Sequence, residues 1–463
     1  MDVCEANDQR LEIGDQRLNA DGLFLTTDHL PLTTQCIMPA IMMHRWARLA
    51  GALTFSLGAC TSAPTASPTA SPTAPPVLPS TLAPASATPP PTVISLWLPP
   101  FLAPDRLSES GALLQARLSD FEASHPRVRL IVRIKELEGP SGLLETLLLA
   151  SDAAPAALPD LIILRAGDLA GAVDEERIVP YPAPLPAPDA ATWYEFAVES
   201  AQVDATRYGV PSSSQTDVLV YDRQALGRPP ASWSDVLGSP APFLFPAADP
   251  QAAFTLAQYL ALDGQLSEPE GSPAIDPAAL EEVLKFYGSA YNAGTLPLTS
   301  RQYQSSSQTW TTFEERRATS AVAPLEAWMA TSLEDAAASA LPTRHGSGIA
   351  LTTTWSWAVV TLDAERQAIA VELIEWLSEP SFLGPWTHSL GTLPPNGVAL
   401  DAWPEGPATD LANQLVSIAR PMPFGEVIDA VGPAMWRAVD AVLSGGLAPQ
   451  AAALQAATDV AEP

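Results

Sequence analysis

The chain has 463 residues, of which 47 % are hydrophobic and 16 % are charged, so it is long and apolar enough for two or three globular domains. Its 52 acidic and 23 basic residues give a formal net charge of −29, which disfavours nucleic-acid binding because that function needs a basic surface. No cysteine follows Cys60, which excludes a disulfide framework or a cysteine-based metal site in the main body, and the five histidines lack zinc-site spacing. We therefore expect neither a metal nor a cofactor.

The segment before Cys60 has the order of an export signal. Residues 42–48 are basic, residues 49–56 are apolar, and small residues precede the cysteine. The apolar run of about eleven residues is shorter than the roughly twenty that a bilayer-spanning helix needs. A short buried helix is the alternative, but two glycines and the prolines that follow disfavour it. We interpret residues 42–59 as a signal peptide and residues 1–41 as a wrongly assigned start or a long leader.

The four residues Leu57-Gly58-Ala59-Cys60 resemble the lipobox of bacterial lipoproteins. The resemblance implies that Cys60 is the first mature residue and carries a lipid, which would hold the protein on the outer face of the cytoplasmic membrane. Residues 60–91 then consist almost entirely of Ala, Pro, Thr, Ser, Val and Leu, a composition that favours an extended, solvated tether. A mucin-like stalk is the alternative interpretation of this tract.

The main body begins with alternating strand and helix patterns. The run TVISLWL predicts a strand, and Leu114, Leu118 and Phe121 have helical spacing. RVRLIVRI alternates apolar and basic residues, which predicts a half-buried strand whose basic face is solvated, with a ligand patch as the weaker alternative. GLLETLLLA then predicts a helix and PDLIILRA a buried strand. This βαβαβ order indicates an α/β fold with a mainly parallel sheet.

Later segments continue the mixture of strands and helices. YGVPSSSQTDVLVYD predicts two strand pieces around a polar hinge at residues 212–216, and TSAVAPLEAWM predicts a strand followed by a helix. GIALTTTWSWAVVTL predicts a long strand. Ser232, Asp276 and Asp363 are expected to cap helices, and the chain after Glu405 is mostly helical.

The shared order of these segments resembles the extracellular solute-binding proteins of ABC importers, in the sugar-binding group that includes maltose-binding protein. The resemblance covers about 370 residues of the body and is carried by ISLWLPP, FEASHPRVRLIV, YGVPSSSQTDVLVYDRQAL, PPASWSDVL and GTLPPN. It implies a two-lobed, periplasmic-binding-protein-like α/β fold of type II, with the ligand cleft between lobes that crossover segments join. The expected first lobe is 92–215 with 326–362, and the expected second lobe is 216–325 with 363–463.

The resemblance also implies which side chains line the cleft. A sugar has hydroxyls at its edges and apolar C–H faces, so its site needs aromatic planes and hydrogen-bonding side chains. The aromatic candidates near the crossovers are Trp97, Trp310, Trp328, Trp355 and Trp357. The polar candidates are Asp168, Gln215, Asp217, Glu326 and Asn396. Trp355 and Trp357 are two residues apart on a predicted strand, so both are expected to face one side. A role in the core is the alternative for each tryptophan.

The resemblance implies a monomeric binding protein that delivers a small solute, with a carbohydrate favoured, to the transmembrane subunits of an ABC permease. A binding-protein fold used as a sensor or surface lipoprotein without a permease is the alternative. A secreted hydrolase with paired carboxylates is a third hypothesis. We expect no enzyme because GxSxG, P-loop, HExxH and GxGxxG motifs are missing from the sequence.

Overall fold

The computed structural model describes residues 90–186, 192–239, 241–268 and 271–461, so the expected leader, signal peptide, lipobox and all but the end of the tether lie outside the described residues. The strands are β1 (Thr92–Leu98), β2 (Val128–Ile134), β3 (Leu161–Arg165), β4 (Gln202–Val203), β5 (Thr206–Arg207), β6 (Gly209–Asp222), β7 (Phe243–Leu244), β8 (Ser320–Pro324), β9 (Ala336–Ser339), β10 (Ala350–Val359) and β11 (Ala419–Pro421).

Helices alternate with these strands along the chain. They are α1 (Glu109–Ser124), α2 (Leu143–Ala153), α3 (Ala166–Asp174), α4 (Glu195–Glu199), α5 (Arg223–Leu226), α6 (Trp233–Gly238), α7 (Ala253–Leu260), α8 (Pro277–Asn292), α9 (Ser306–Glu314), α10 (Leu325–Ala330), α11 (Ala364–Leu377), α12 (Pro380–Leu390), α13 (Gly397–Asp401), α14 (Pro407–Ile418), α15 (Glu426–Leu443) and α16 (Pro449–Ala461). Among the described residues, none of these helices has the length and hydropathy needed to cross a bilayer.

A mixed sheet runs through the body in the order β2-β1-β3-β10-β6-β8-β7, with β11 beside β10 and β9 beside β6. Strands β1, β2 and β3 are parallel, as the βαβαβ pattern predicted. Strand β10 is antiparallel to both β3 and β6. Val128, Leu130 and Val132 of the edge strand β2 are half-buried while Arg129, Ile131 and Arg133 are exposed, which confirms the predicted alternation up to Val132, whereas Ile134 is exposed.

Two strands, β6 and β10, run from one half of this sheet into the other. The first part of β6 pairs with β10 through Thr216, and its second part pairs with β8 from Asp217 onward. The structure thus has one 14-residue strand where the sequence predicted two pieces around a hinge. Strand β10 supplies partners to hydroxyls of the polar segment: Ser212 Oγ donates to the Trp355 carbonyl at 2.9 Å, and Thr216 Oγ1 donates to the Leu351 carbonyl at 2.8 Å, whereas Ser213 Oγ has no partner among the described residues.

The hydrophobic side chains separate into cores at the two ends of these shared strands. We call the group around β1, β2 and β3 the first lobe, and its core also includes residues of α1, α11 and α12. The second lobe contains β7, β8 and β9 with α6–α9, α15 and α16, and it holds two adjoining apolar clusters. The expected division, which assigned 363–463 to the second lobe, is wrong for α11 and α12, because Leu373, Ile374 and Leu383 pack in the first-lobe core. It is also wrong for β9, which pairs with the second-lobe half of β6.

Candidate functional site

A cavity of about 320 Å³ lies where β6 and β10 pass from one lobe to the other. The first lobe contributes Phe101, which follows β1, and Arg165, the last residue of β3. The second lobe contributes Phe254 of α7 and Ser306 of α9. Because side chains from both lobes form its walls, closing the lobes would enclose a bound molecule.

Three side chains form a hydrogen-bonded chain across the floor of this cavity. Trp355 Nε1 of β10 donates to Gln215 Oε1 of β6 at 2.9 Å. The Gln215 side chain then donates from Nε2 to Glu326 Oε1 at 3.4 Å. The ring of Phe101 packs edge-on against Trp355, with 5.1 Å between the ring centroids. These contacts hold an aromatic surface and a carboxylate in fixed positions relative to each other.

Two carboxyl groups of the cavity have pKa values near neutrality. Burial, together with the negative charge of Asp217, raises the pKa of Glu326 to about 7, while hydrogen bonds from its own backbone amide and from Gln215 oppose the shift. Burial likewise raises the pKa of Asp217 to about 6, with a hydrogen bond from Ser306 opposing it and the charge of Asp249 adding to it. Both groups therefore exchange protons close to physiological pH.

A second hollow of about 260 Å³ adjoins the cavity and shares Arg165, Gln251, Thr353 and Met422 with it. The Arg165 side chain donates from Nε to Asp168 Oδ2 at 2.9 Å, and its Nη1 lies 3.3 Å from Glu138 Oε1. Burial raises the pKa of Asp168 while Arg165 opposes that shift. The cleft therefore continues past Arg165, whose charge is shared with two acidic partners.

The structure brings four of the predicted site residues together in the cavity: Gln215, Asp217, Glu326 and Trp355. Asp168 lines the adjoining hollow. Trp328 lines a separate hollow of about 440 Å³ on the other side of Glu326, which also takes part in that wall.

Four predicted residues lie away from the cavity. Trp97 and Trp357 are buried in the first-lobe core, and Trp310 is buried in the second lobe against Phe313. Asn396 caps α13, because its Oδ1 accepts a hydrogen bond from the Ala399 amide at 2.9 Å. Each of the four side chains thus serves packing or capping. Their positions do not agree with the predicted contact with a ligand.

Sequence reasoning missed several lining residues, including Phe101, Arg165 and Gln251. Two of them had a usable signal. Arg165 ends a predicted parallel strand and Phe101 follows another, and ligands of open α/β sheets bind beyond the carboxyl ends of the strands. Gln251 lies in the irregular segment before α7, where no periodic pattern marks it.

The fold has two lobes that share long strands, and a polar cavity lies where these strands pass from one lobe to the other. This arrangement defines a two-lobed binding protein. Residues 116–411 match the family model for bacterial extracellular solute-binding proteins, and the chain belongs to that family.

Solved structures show the same fold. The sugar-binding protein MalE of Xanthomonas citri superposes with a TM-score of 0.67 at 20 % identity, over 80 % of this chain and 97 % of that one. MalE of Listeria monocytogenes in complex with maltose gives 0.65 at 16 % identity, over 80 % and 97 %. The GacH receptor of Streptomyces glaucescens, solved unliganded and with acarbose, gives 0.62 at 15 % identity over the same fractions. No curated protein matches the chain significantly.

Proposed function

We propose that this protein captures a small carbohydrate in the cavity between its lobes and delivers it to an ABC permease, while a lipid on Cys60 anchors it outside the cell. The observation that carries the proposal is the hydrogen-bonded chain from Trp355 through Gln215 to Glu326. It places an aromatic surface beside amide and carboxylate groups, and a sugar ring needs both. The similar MalE and GacH structures carry the names of sugar or acarbose ligands, which supports the same class of solute.

Thermal unfolding with a panel of solutes tests the proposal. The purified protein is scanned with glucose, maltose and maltotriose, and in parallel with polyols and amino acids. A ligand at 100 times its Kd stabilises the folded state by about 2.7 kcal/mol, so its melting temperature should rise by several degrees. Trp355→Phe should reduce that rise because it removes the indole donor to Gln215, whereas Glu405→Gln, at an exposed position, should leave it unchanged.

A panel in which saccharides leave the melting temperature unchanged while another solute raises it would contradict the carbohydrate assignment.

The anchor is tested separately by fractionating cells that express Cys60→Ser. This variant should leave the membrane fraction, because a protein without its acyl chains loses about 0.8 kcal/mol of membrane affinity per CH₂ group. Retention of the variant on membranes would contradict lipidation at Cys60.

A further inference from the structure

We propose, building on the carbohydrate function proposed above, that the solute is an amino sugar whose ammonium group lies between the carboxylates of Glu326 and Asp217. The two residues are close in the fold although 109 positions separate them in sequence, since Asp217 of β6 pairs with Pro324 of β8 and Glu326 follows two residues later. Both line the cavity of about 320 Å³ between the lobes.

The Glu326 side chain has one oxygen with no partner. Its Oε1 accepts from Gln215, but its Oε2 is fully shielded and has no hydrogen-bond partner among the described residues. Leaving such an oxygen unpaired in a buried site is unfavourable, so a rotation of the Glu326 carboxyl that brings Oε2 to a donor on a ligand in the cavity is favoured.

The described residues that line the cavity include one cation, Arg165, and it is already paired. Its Nε donates to Asp168 and its Nη1 contacts Glu138, both on the first-lobe side. Besides burial, the groups that act on Glu326 are its own backbone amide, the carboxylate of Asp217 and the neutral Gln215, and those that act on Asp217 are the neutral Ser306 and the further carboxylate Asp249. The negative charge of this part of the cavity is therefore not balanced by a protein cation.

The side of Glu326 opposite the cavity offers no balancing cation among its described lining residues either. The hollow behind it contains Glu109 of α1 and His388 of α12. Burial lowers the pKa of His388, whose ring packs edge-on against Trp403, so this imidazole is neutral at physiological pH. Acidic and neutral groups thus lie beside Glu326 in this hollow, and the described cation of the cavity, Arg165, is paired with Asp168 and Glu138 on the first-lobe side.

An ammonium group suits this arrangement better than a hydroxyl does. It has three donors and no acceptor, so it satisfies Oε2 while offsetting the repulsion between two carboxylates, and charge-assisted hydrogen bonds are about twice as strong as neutral ones. The rest of the cavity argues for a sugar ring instead of a linear polyamine. Trp355 and Phe101 offer aromatic surface, and Gln251, Ser306 and Thr353 offer hydroxyl and amide groups.

Calorimetry with matched saccharide pairs at pH 7 tests the inference. One pair is glucosamine and glucose, and the other is the free-amine chitosan disaccharide and cellobiose, which share one scaffold and differ at C2. Each amino sugar should bind at least about tenfold tighter than its neutral counterpart. Glu326→Gln and Asp217→Asn should abolish most of this preference, and Glu405→Gln should preserve it.

The preference should also rise between pH 5 and pH 7, because the two carboxyls ionise over that interval and only their ionised forms attract a cation. Neutral sugars that bind as tightly as amino sugars would overturn the inference and leave the carbohydrate function intact. Failure of every saccharide to bind would overturn both. Tight binding of spermidine without binding of either amino sugar would also overturn the inference, since it would assign the carboxylates to a polyamine.

Discussion

At the scale of single residues, the carboxyls of Asp217 and Glu326 connect the cavity to the stability of the empty protein. Their pKa values of about 6 and about 7 exceed the ordinary values near 4, so the folded state holds protons that the unfolded chain has released between about pH 4 and pH 7. By linkage, the free energy of unfolding of the empty protein then falls as pH rises through this window. The protein thus gives up stability at neutral pH to keep two carboxylates in its cleft.

Replacing either carboxyl with the corresponding amide should remove this loss of stability at neutral pH. Glu326→Gln and Asp217→Asn should each be about 1–2 kcal/mol more stable than the parent protein at pH 8, after allowance for solvent access, and close to it at pH 4.5. Urea unfolding of the empty proteins at both pH values measures the difference. Glu405→Gln should follow the parent at both. Amide variants that are less stable than the parent at pH 8 would show that the carboxylates are not strained in the empty cleft.

The two tryptophans of β10 show how far sequence reasoning reached at this scale. Trp355 and Trp357 were expected to face one side, and both belong to the first-lobe core. Two residues of strand span about 7 Å, so Trp357 lies one pleat deeper and only Trp355 reaches the cavity. Periodicity gives the face of a strand, but the depth along it depends on where the neighbouring lobe begins.

At the scale of elements, the position of Glu326 in the cleft depends on the end of α12. Gly391 terminates that helix with φ of +72°, and a Cβ at this position would lie 2.6 Å from the Cα of Glu326. A contact this short involves backbone on the α10 side, which has no flexible side chain to move away. The glycine therefore allows α12 of the first lobe to approach the start of α10 closely.

Gly391→Ala should destabilise the protein by about 2–4 kcal/mol, from the left-handed backbone conformation and the clash together. It should also weaken saccharide binding, because relief of the clash displaces Glu326. Gly445→Ala is the matched control, since Gly445 has a similar φ of +74° after α15 but nothing within 4 Å of its would-be Cβ. That variant should lose only about 1–2 kcal/mol and keep its affinity. Equal losses in urea unfolding would contradict the contact with Glu326.

The crossover strand β6 shows why the elements were predicted only in part. Its polar centre, residues 212–216, has the composition of a hinge or loop, and the sequence gives no sign that β10 supplies partners for it. The Ser214 hydroxyl bonds to that of Thr354 at 2.9 Å, and these positions are 140 residues apart. Local propensity was overridden by tertiary hydrogen bonds, which a single sequence does not reveal.

At the scale of the whole molecule, the direction of β10 decides which lobe the following helices join. The strand starts beside β11 and ends beside β3, so the chain leaves it at the first lobe and α11 packs there. The family resemblance implied two lobes joined by crossovers, yet the expected division placed α11 and α12 in the second lobe, whereas their side chains pack in the first-lobe core. A hydrophobic pattern shows that a helix has a buried face without showing which core buries it.

Because β6 and β10 are shared by both lobes, the molecule can close around a solute by bending at these strands. A ligand that contacts Phe101 on one side and Phe254 on the other binds the closed form more tightly and shifts the population toward it. No cysteine follows Cys60, so introduced thiols can be labelled selectively once Cys4, Cys36 and Cys60 are replaced by serine. Spin labels at Ser141→Cys, near the first-lobe rim, and Thr311→Cys, on α9, should move several ångströms closer when a saccharide that raises the melting temperature is added. The pair Ser141→Cys and Asp174→Cys, both within the first lobe, should keep its distance. An unchanged distance in the first pair at saturating ligand would mean that the solute binds without closure, and a permease could then not distinguish loaded from empty protein by lobe position.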